Sequence, residues 1–281
     1  MQTIISQIAK QENLNVTSVH ALSGGDINEV YLLEAANTSL VLKLNKEDLF
    51  PDMFRKEAEG LEALYHTQTF QIPNILGYGE VEQYAYLLLD YLPPVPVIQW
   101  TDFGYLLAQL HRHSAPTFGF PSSNYIGQLV QYNKQEQSAN TFLINQRLEP
   151  QFRMAQDNGF SFKNLDLFYA QVESLIPDEQ PALLHGDLWN GNCLHTDQGF
   201  ALIDPAISYG PREMDLAMMQ LFGGFPTSVF TAYEASYPTA PELEKRIPIY
   251  QLYYLLAHLN MFGSSYYGSC QRIVERVIFN C

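Results

Sequence analysis

The segment Leu92–Val97, LPPVPV, constrains the fold more than any other stretch of the chain. Pro93, Pro94 and Pro96 fix three φ angles and remove three backbone donors within four residues. Neither a helix nor a central strand continues through such a run, which acts as a semi-rigid connector. The residue pattern changes across it. Upstream, Val16–Gly25 reads as a strand running into a Ser-Gly-Gly turn, and Glu29–Leu44 as two β-rich runs around Ala35–Ser39. Ile75–Val81 and Tyr84–Leu92 are two further strand-like runs. Between them Met53–His66 has a helical period, with Phe54, Ala58, Leu61 and Tyr65 on one face. Downstream the pattern is mostly helical. Phe103, Leu106, Leu107, Leu110 and His111 share a face, and Asn140–Asp157, Leu165–Ile176 and the tail from Met214 add further amphipathic runs. The expectation is a two-lobed α+β chain. Residues 1–92 form a small antiparallel-sheet lobe with one helix, and residues 93–281 a larger, mainly helical lobe.

Composition narrows the function classes. With 281 residues, 47% of them hydrophobic, the chain can bury a large core without disulfides or metals, and general disorder is excluded. Fifteen basic against thirty acidic residues give a formal net charge of −15. That field repels a phosphate backbone and argues against nucleic acid as a partner, while cationic partners such as amines stay compatible. Cys193, Cys270 and Cys281 are scattered and follow no metal-ligand or CxxC spacing. The first fifteen residues lack the basic start and apolar stretch of a signal peptide, and no apolar run is long enough to span a membrane. These features predict a cytoplasmic protein with no membrane partner.

The chemistry is concentrated in Pro181–Ala206. His185-Gly186-Asp187 is followed by Asn192 and, after a hairpin-like run, by Asp204. Phosphoryl transfer from ATP uses these types at this kind of spacing. One carboxylate, Asp187, orients the acceptor hydroxyl and takes its proton. Two hard oxygen donors, Asn192 and Asp204, suit Mg²⁺ on the phosphates. The upstream region supplies the remaining parts. Gly24 and Gly25 sit in a turn where backbone N–H groups can approach phosphates. Lys43 lies in the strand LVLKL on the face opposite Leu42 and Leu44. Glu57, on the next helix, can pair with it. Taken singly, a glycine pair, a strand lysine and a helix glutamate are usually structural. Their order along the chain is what a structural reading leaves unexplained.

At HGDLWNGN (His185–Asn192) and IDPAISYGPREMDLAM (Ile203–Met218) the chain resembles the fructosamine kinase (ketosamine kinase) family, within the aminoglycoside phosphotransferase and protein-kinase-like superfamily. SGGDINEVYLL, KEAEGLEAL, LLLDYLP and the GGF at Gly223–Phe225 extend the resemblance over nearly the whole chain. It implies a protein-kinase-like fold, ATP and Mg²⁺, and phosphorylation of the 3-hydroxyl of a ketoamine. The unstable 3-phosphate then releases the sugar and regenerates the amine, a deglycation or protein-repair role. By matched position, Asp187 is the proton acceptor and Asn192 and Asp204 are the Mg²⁺ ligands. Lys43, paired with Glu57, sits on the ATP phosphates. Asp90, Tyr91 and Leu92 form the segment whose backbone holds adenine. Trp189 stacks on the sugar, or else packs in the core. Glu213 and Asp215 match a structural helical motif. Where some relatives carry a redox-active cysteine after the glycine pair, this chain has Asp26, so that regulation is not carried over. A kinase for another small hydroxyl substrate, of aminoglycoside, choline or homoserine type, is the alternative. A non-catalytic pseudokinase is a remote one. The particular ketose and amine, and the oligomeric state, stay open.

Overall fold

Leu40, Leu42 and Leu44 alternate with Val41 and Lys43 along one strand, and this alternation organises the first part of the chain. The computed structural model describes residues 1–22, 28–36, 38–97 and 99–279. Its elements begin with α1 (Gln2–Gln11), β1 (Val16–Ala21), β2 (Glu29–Ala35), β3 (Thr38–Lys46), α2 (Met53–Tyr65), β4 (Ile75–Val81) and β5 (Tyr84–Asp90). After the prolines come α3 (Thr101–Leu110), the short pair β6 (Asn124–Ile126) and β7 (Leu129–Gln131), α4 (Ala139–Phe142), a π-helical turn (Leu143–Leu148), α5 (Glu149–Asp157) and α6 (Leu165–Leu175). Then follow β8 (Ala182–Leu184), β9 (Cys193–Thr196), β10 (Gly199–Leu202), β11 (Ser208–Gly210), α7 (Glu213–Leu221), α8 (Thr227–Ser236), α9 (Leu243–Phe262) and α10 (Tyr267–Phe279). Two compact units result: Met1–Pro96 with Leu194–Asp204, and Val97–Cys193 with Pro205–Cys281.

The first unit is an antiparallel five-stranded sheet in the order β1-β2-β3-β5-β4. Leu40, Leu42 and Leu44 pack with Leu33, Tyr86 and Leu88 and with Ile4, Ile5 and Ile8 of α1. The helix α1 is a difference from the sequence expectation of one helix before the connector. It starts without a capping side chain, and its four buried residues Ile4, Ile5, Ile8 and Ala9 only gain meaning once a sheet face is there to cover. The opposite side of β3 belongs to Lys43, which lies across from Val30 and Leu87 in the ladders. The unit runs through the connector to Pro96 and takes back a second segment, the hairpin Leu194–Asp204, which a single division at residue 92 does not provide for. Gln71 secures that hairpin: its N–H donates to Phe200 O (2.9 Å), its carbonyl accepts from Leu202 N (3.0 Å) and its side-chain oxygen from Thr196 Oγ1 (2.7 Å). Val95 N–H donates to His195 O (2.6 Å), tying the proline segment to the same hairpin.

The second unit packs around α9, whose Ile249, Tyr250, Leu252, Tyr253 and Leu256 are buried together with Phe142, Leu143, Phe168 and Val172. The predicted helical stretch Asn140–Asp157 is helical throughout, with the π turn in its middle. Within that turn Arg147 is buried, its Nη2 donating to Asn133 Oδ1 (2.9 Å) and its guanidinium standing 4.4 Å from the Phe142 ring centre. Among the described residues no helix is long and apolar enough to cross a membrane.

Candidate phosphotransfer site

In the first unit, strand, helix and hairpin deliver three charges to one place. Lys43 Nζ donates to Glu57 Oε1 at 2.6 Å and also to Asp204 Oδ1. Lys43 and Glu57 are largely withdrawn from water, whereas the Asp204 side chain keeps 43% exposure. Burial alone lowers a lysine's pKa. Here the carboxylates of Asp204 and Glu57 outweigh it and hold the ammonium protonated above the ordinary lysine range. Burial pushes the Glu57 carboxyl up, with Lys43 opposing and Asp204 adding to the rise. Asp204 has φ +57°, the left-handed region that aspartate tolerates better than most residues. Such conformations gather at functional positions. The glycine turn expected beside this cluster, with Gly24, Gly25 and the neighbouring Asp26, lies outside the described residues.

The segment after β5 is more selective than the sequence suggests. Asp90 is committed internally: its N–H donates to Asn74 O (3.1 Å), and its carboxylate accepts from Asn74 N (2.5 Å) and Nδ2 (2.8 Å). Tyr91 N–H donates to Ser39 O (3.1 Å). Neither N–H remains for a ligand, which leaves the Leu92 N–H as the donor this segment can offer.

In the second unit the loop after β8 is built on backbone. His185 is fully buried, and its N–H donates to Asp215 Oδ2 (2.8 Å) while Gly186 N–H donates to Asp215 Oδ1 (2.9 Å). Asp215 on α7 is itself buried and also meets His111 Nε2 (3.2 Å), whose Nδ1 pairs with the Tyr233 hydroxyl (2.8 Å). Gly186 has φ +84°, and a Cβ there would sit 1.9 Å from Ala206 O, so no other residue fits. His185 Nδ1 accepts from Asp187 N (3.3 Å), which makes the ring a support of the loop. Asn192 Nδ2 donates to Asp187 O (2.9 Å) and approaches Asp187 Oδ2 (3.3 Å), bringing the two predicted residues together. Trp189, 39% exposed, lays its ring against Gly191 instead of packing in the core. The Cys193 thiol is pushed up to about 12 by burial, so it is not a nucleophile at neutral pH.

Some contributors were not legible as functional in the sequence. Asn124 Nδ2 donates to Ile207 O (2.8 Å) and Gln131 Nε2 to Ala206 O (2.9 Å), with Tyr253 OH donating to Gln131 Oε1 (2.8 Å). This buried network fixes the backbone directly after Asp204. Periodicity marks its positions as core and says nothing of their polarity. Glu213 pairs with Arg246 at 2.7 and 2.6 Å, a structural bond, while Asp215 acts on the loop itself.

Each unit taken by itself carries one oxygen donor of the kind that suits Mg²⁺. Asn192 commits its amide nitrogen to the Asp187 carbonyl, leaving Oδ1 as the amide's acceptor, and Asp204 presents a solvent-reaching carboxylate. Among the described residues no group of three or more His, Cys, Asp or Glu could hold a metal ion. Mg²⁺ does not need one, since it binds one or two protein oxygens together with phosphates and water.

Comparison with known proteins identifies the family. The fructosamine kinase family model matches residues 1–280. A protein of Enterococcus faecium named a probable ketoamine kinase is 38% identical over 282 residues, covering 98% of this chain and 99% of its own. One of Vibrio parahaemolyticus with the same name is 36% identical over 269 residues, covering 94% and 93%. A Haemophilus somnus crystal structure assigned as a fructosamine-3-kinase superposes with a TM-score of 0.89 at 29% identity, covering 99% of this chain and 98% of that one. Aminoglycoside phosphotransferase APH(4)-Ia, solved with ADP and hygromycin B, shares the fold at 16% identity and a TM-score of 0.65, with 97% and 98% covered. The chain belongs to the fructosamine kinase family.

Proposed function

We propose that this chain is an ATP-dependent kinase that phosphorylates the 3-hydroxyl of ketoamines, the sugar–amine adducts of early glycation, and so initiates their removal. The observation that carries the reading is Lys43, buried and charged between two carboxylates of which one reaches solvent. A purely structural ion pair has no use for the exposed partner, whereas a phosphate-binding lysine must be able to exchange it.

In this reading the first unit is the nucleotide-binding part and the second the catalytic and substrate part. Glu57 holds Lys43 in position for the phosphate oxygens, and the Leu92 N–H serves the adenine ring. Asp187 orients the acceptor hydroxyl and takes its proton, steadied by the Asn192 amide. Asn192 Oδ1 and the Asp204 carboxylate are the oxygens for Mg²⁺, which supplies charge neutralisation when bound. Trp189 offers a flat apolar face to the sugar. The free thiols Cys193 and Cys270 fit a reducing, cytoplasmic setting.

Transfer of labelled phosphate from ATP to a panel of ketoamines, aminoglycosides and choline tests the proposal. A ribulose adduct has fewer hydroxyls to leave unpaired than a fructose adduct, each such buried group costing about 1–3 kcal/mol. Ribulose-derived lysine should therefore be phosphorylated at least as well as fructose-derived lysine, and choline and kanamycin hardly at all. Efficient phosphorylation of choline or kanamycin, with ribuloselysine untouched, would refute the ketoamine reading and leave a kinase of another small alcohol.

A further inference from the structure

The segment Gly223-Gly224-Phe225 follows the end of α7 and takes no part in the proposed chemistry. Both glycines lie in the left-handed region, at φ +72° and +92°, but their surroundings differ. A Cβ on Gly223 would meet nothing within 4 Å, whereas one on Gly224 would stand 2.6 Å from Asn190 Cβ and 2.8 Å from Asn190 Cγ. Asn190 Cβ is fixed to its own backbone, so no side-chain rotation relieves that contact. The bare backbone of Gly224 is a seat into which Asn190 fits.

The two sides of the seat are held unequally. Phe225, next in the chain, sets its ring 5.3 Å from that of Phe103 and 5.8 Å from that of Trp100, and Phe103 is fully buried. Asn190 is exposed and opens the single 3₁₀ turn Asn190–Asn192. Around that turn Trp189 O accepts from Asn192 N (3.0 Å). The Trp189 ring covers Gly191 so closely that a Cβ there would fall 2.1 Å from it. Pressure at Gly224 is therefore relieved by movement of Asn190, and the ring of Trp189 moves with it. α7 thus holds the His185–Asn192 loop at two points. Asp215 in its first turn accepts from His185 N and Gly186 N, and the glycine turn beyond its last residue receives Asn190.

We propose that Gly224 is a positioning residue for the acceptor side of the site: it sets the place of Asn190 and, through it, of the Trp189 ring, and so governs selectivity for the ketoamine. What Trp189 faces rests on the ketoamine reading, whereas the seat does not.

The test compares Gly223→Ala with Gly224→Ala in the full chain. Both place a methyl group at a left-handed position, so backbone strain is common to the pair and the collision with Asn190 belongs to one of them. Each is also made with Trp100→Phe, which leaves Trp189 as the sole tryptophan. Gly224→Ala should raise the KM for ribuloselysine about tenfold, change the KM for ATP by less than about twofold, and alter acrylamide quenching of Trp189 fluorescence. Gly223→Ala should leave both KM values and the quenching near those of the wild type. Similar melting temperatures of the two variants verify folding and a common strain. In an Asn190→Gly background, which lacks the colliding Cβ, Gly224→Ala should change the ketoamine KM by less than about twofold, a rescue that a general loss of stability would not give. With ketoamine turnover intact, equal KM and quenching in the two alanine variants, or an undiminished effect of Gly224→Ala in the Asn190→Gly background, would overturn the inference alone. If the wild type turned over no ketoamine, the ketoamine reading would fall and the selectivity role with it.

Discussion

The two units build their functional residues by opposite means. In the first, Lys43, Glu57 and Asp204 come from a strand, a helix and a returning hairpin and are held by charge. In the second, Asp187 and Asn192 are neighbours on one loop, and that loop is held by backbone N–H groups on the buried carboxylate of Asp215. A charge cluster with an exposed member can exchange partners when an anionic ligand arrives. A loop fixed through its own amides cannot, and it holds Asp187, the proposed base, in one geometry. The contrast suits the tasks proposed for the two groups: phosphates must be taken up and released, whereas proton transfer needs a fixed orientation.

The contrast breaks most visibly at Asp187. Asp187→Asn should lower kcat by about 10²–10⁴-fold, the usual cost of losing a general base. The KM for ATP should stay within about twofold, because no proposed nucleotide contact involves this carboxylate. Steady-state kinetics decide it, and a near-normal kcat would remove Asp187 from the chemistry. Asp215→Asn tests whether the backbone frame is what fixes that base. An amide can accept one of the two N–H bonds but turns a donor toward the other, leaving a buried group unsatisfied at about 1–3 kcal/mol. We expect a lower melting temperature and a kcat reduced about tenfold or more, with a smaller change in the KM for ATP. An unchanged kcat in a folded Asp215→Asn protein would show that the loop keeps its geometry without this anchor.

What the sequence made legible follows the same division. Lys43 and Glu57 could be placed because strand alternation and helical period each assign a face, and two assigned faces meet. The loop was readable as HGD…N, since its residues are close in sequence. Its support was not. His111, Asn124, Gln131 and Asp215 lie far apart along the chain, and periodicity marks buried positions without naming which polar groups meet there. Asp215 within the apolar run of α7 was the one local signal, a carboxylate where a core residue belongs, and its backbone partners appear only with the fold. Likewise α1 becomes legible once the leucines of β3 require a cover, and the hairpin's return to the first unit depends on Gln71, a polar residue with no distinguishing neighbours.

Asp204 sharpens the comparison from the charged side. Asp204→Asn removes one of the two partners of Lys43 and, if Asp204 is the proposed ligand, an anionic oxygen from the Mg²⁺ site. The Mg²⁺ concentration needed for half-maximal ATP binding should rise about tenfold. Isothermal titration of ATP at graded Mg²⁺ measures it. An unchanged Mg²⁺ requirement would deny Asp204 its role as a ligand.

The smallest effect is expected at Glu57, because Lys43 retains Asp204 when Glu57 is neutral. In Glu57→Gln the lysine should rest nearer Asp204 and reach the phosphates less often, raising the KM for ATP about three- to tenfold with little loss of kcat. Stability should respond with a definite sign. Burial raises the folded-state pKa of Glu57, so the folded chain binds that proton more tightly than the unfolded chain does. Its contribution to stability is therefore fully present below the ordinary carboxylate pKa, and it is lost as pH rises through the higher folded value. Glutamine carries no such term. As pH increases from about 4.5, this proton linkage predicts that the stability difference between wild type and Glu57→Gln moves in favour of the variant. Urea denaturation of both proteins across that range measures the difference directly. A difference that stayed constant, or moved toward the wild type, would mean that Lys43 compensates the burial of Glu57 in full, and the charged cluster would then be as rigidly prearranged as the loop.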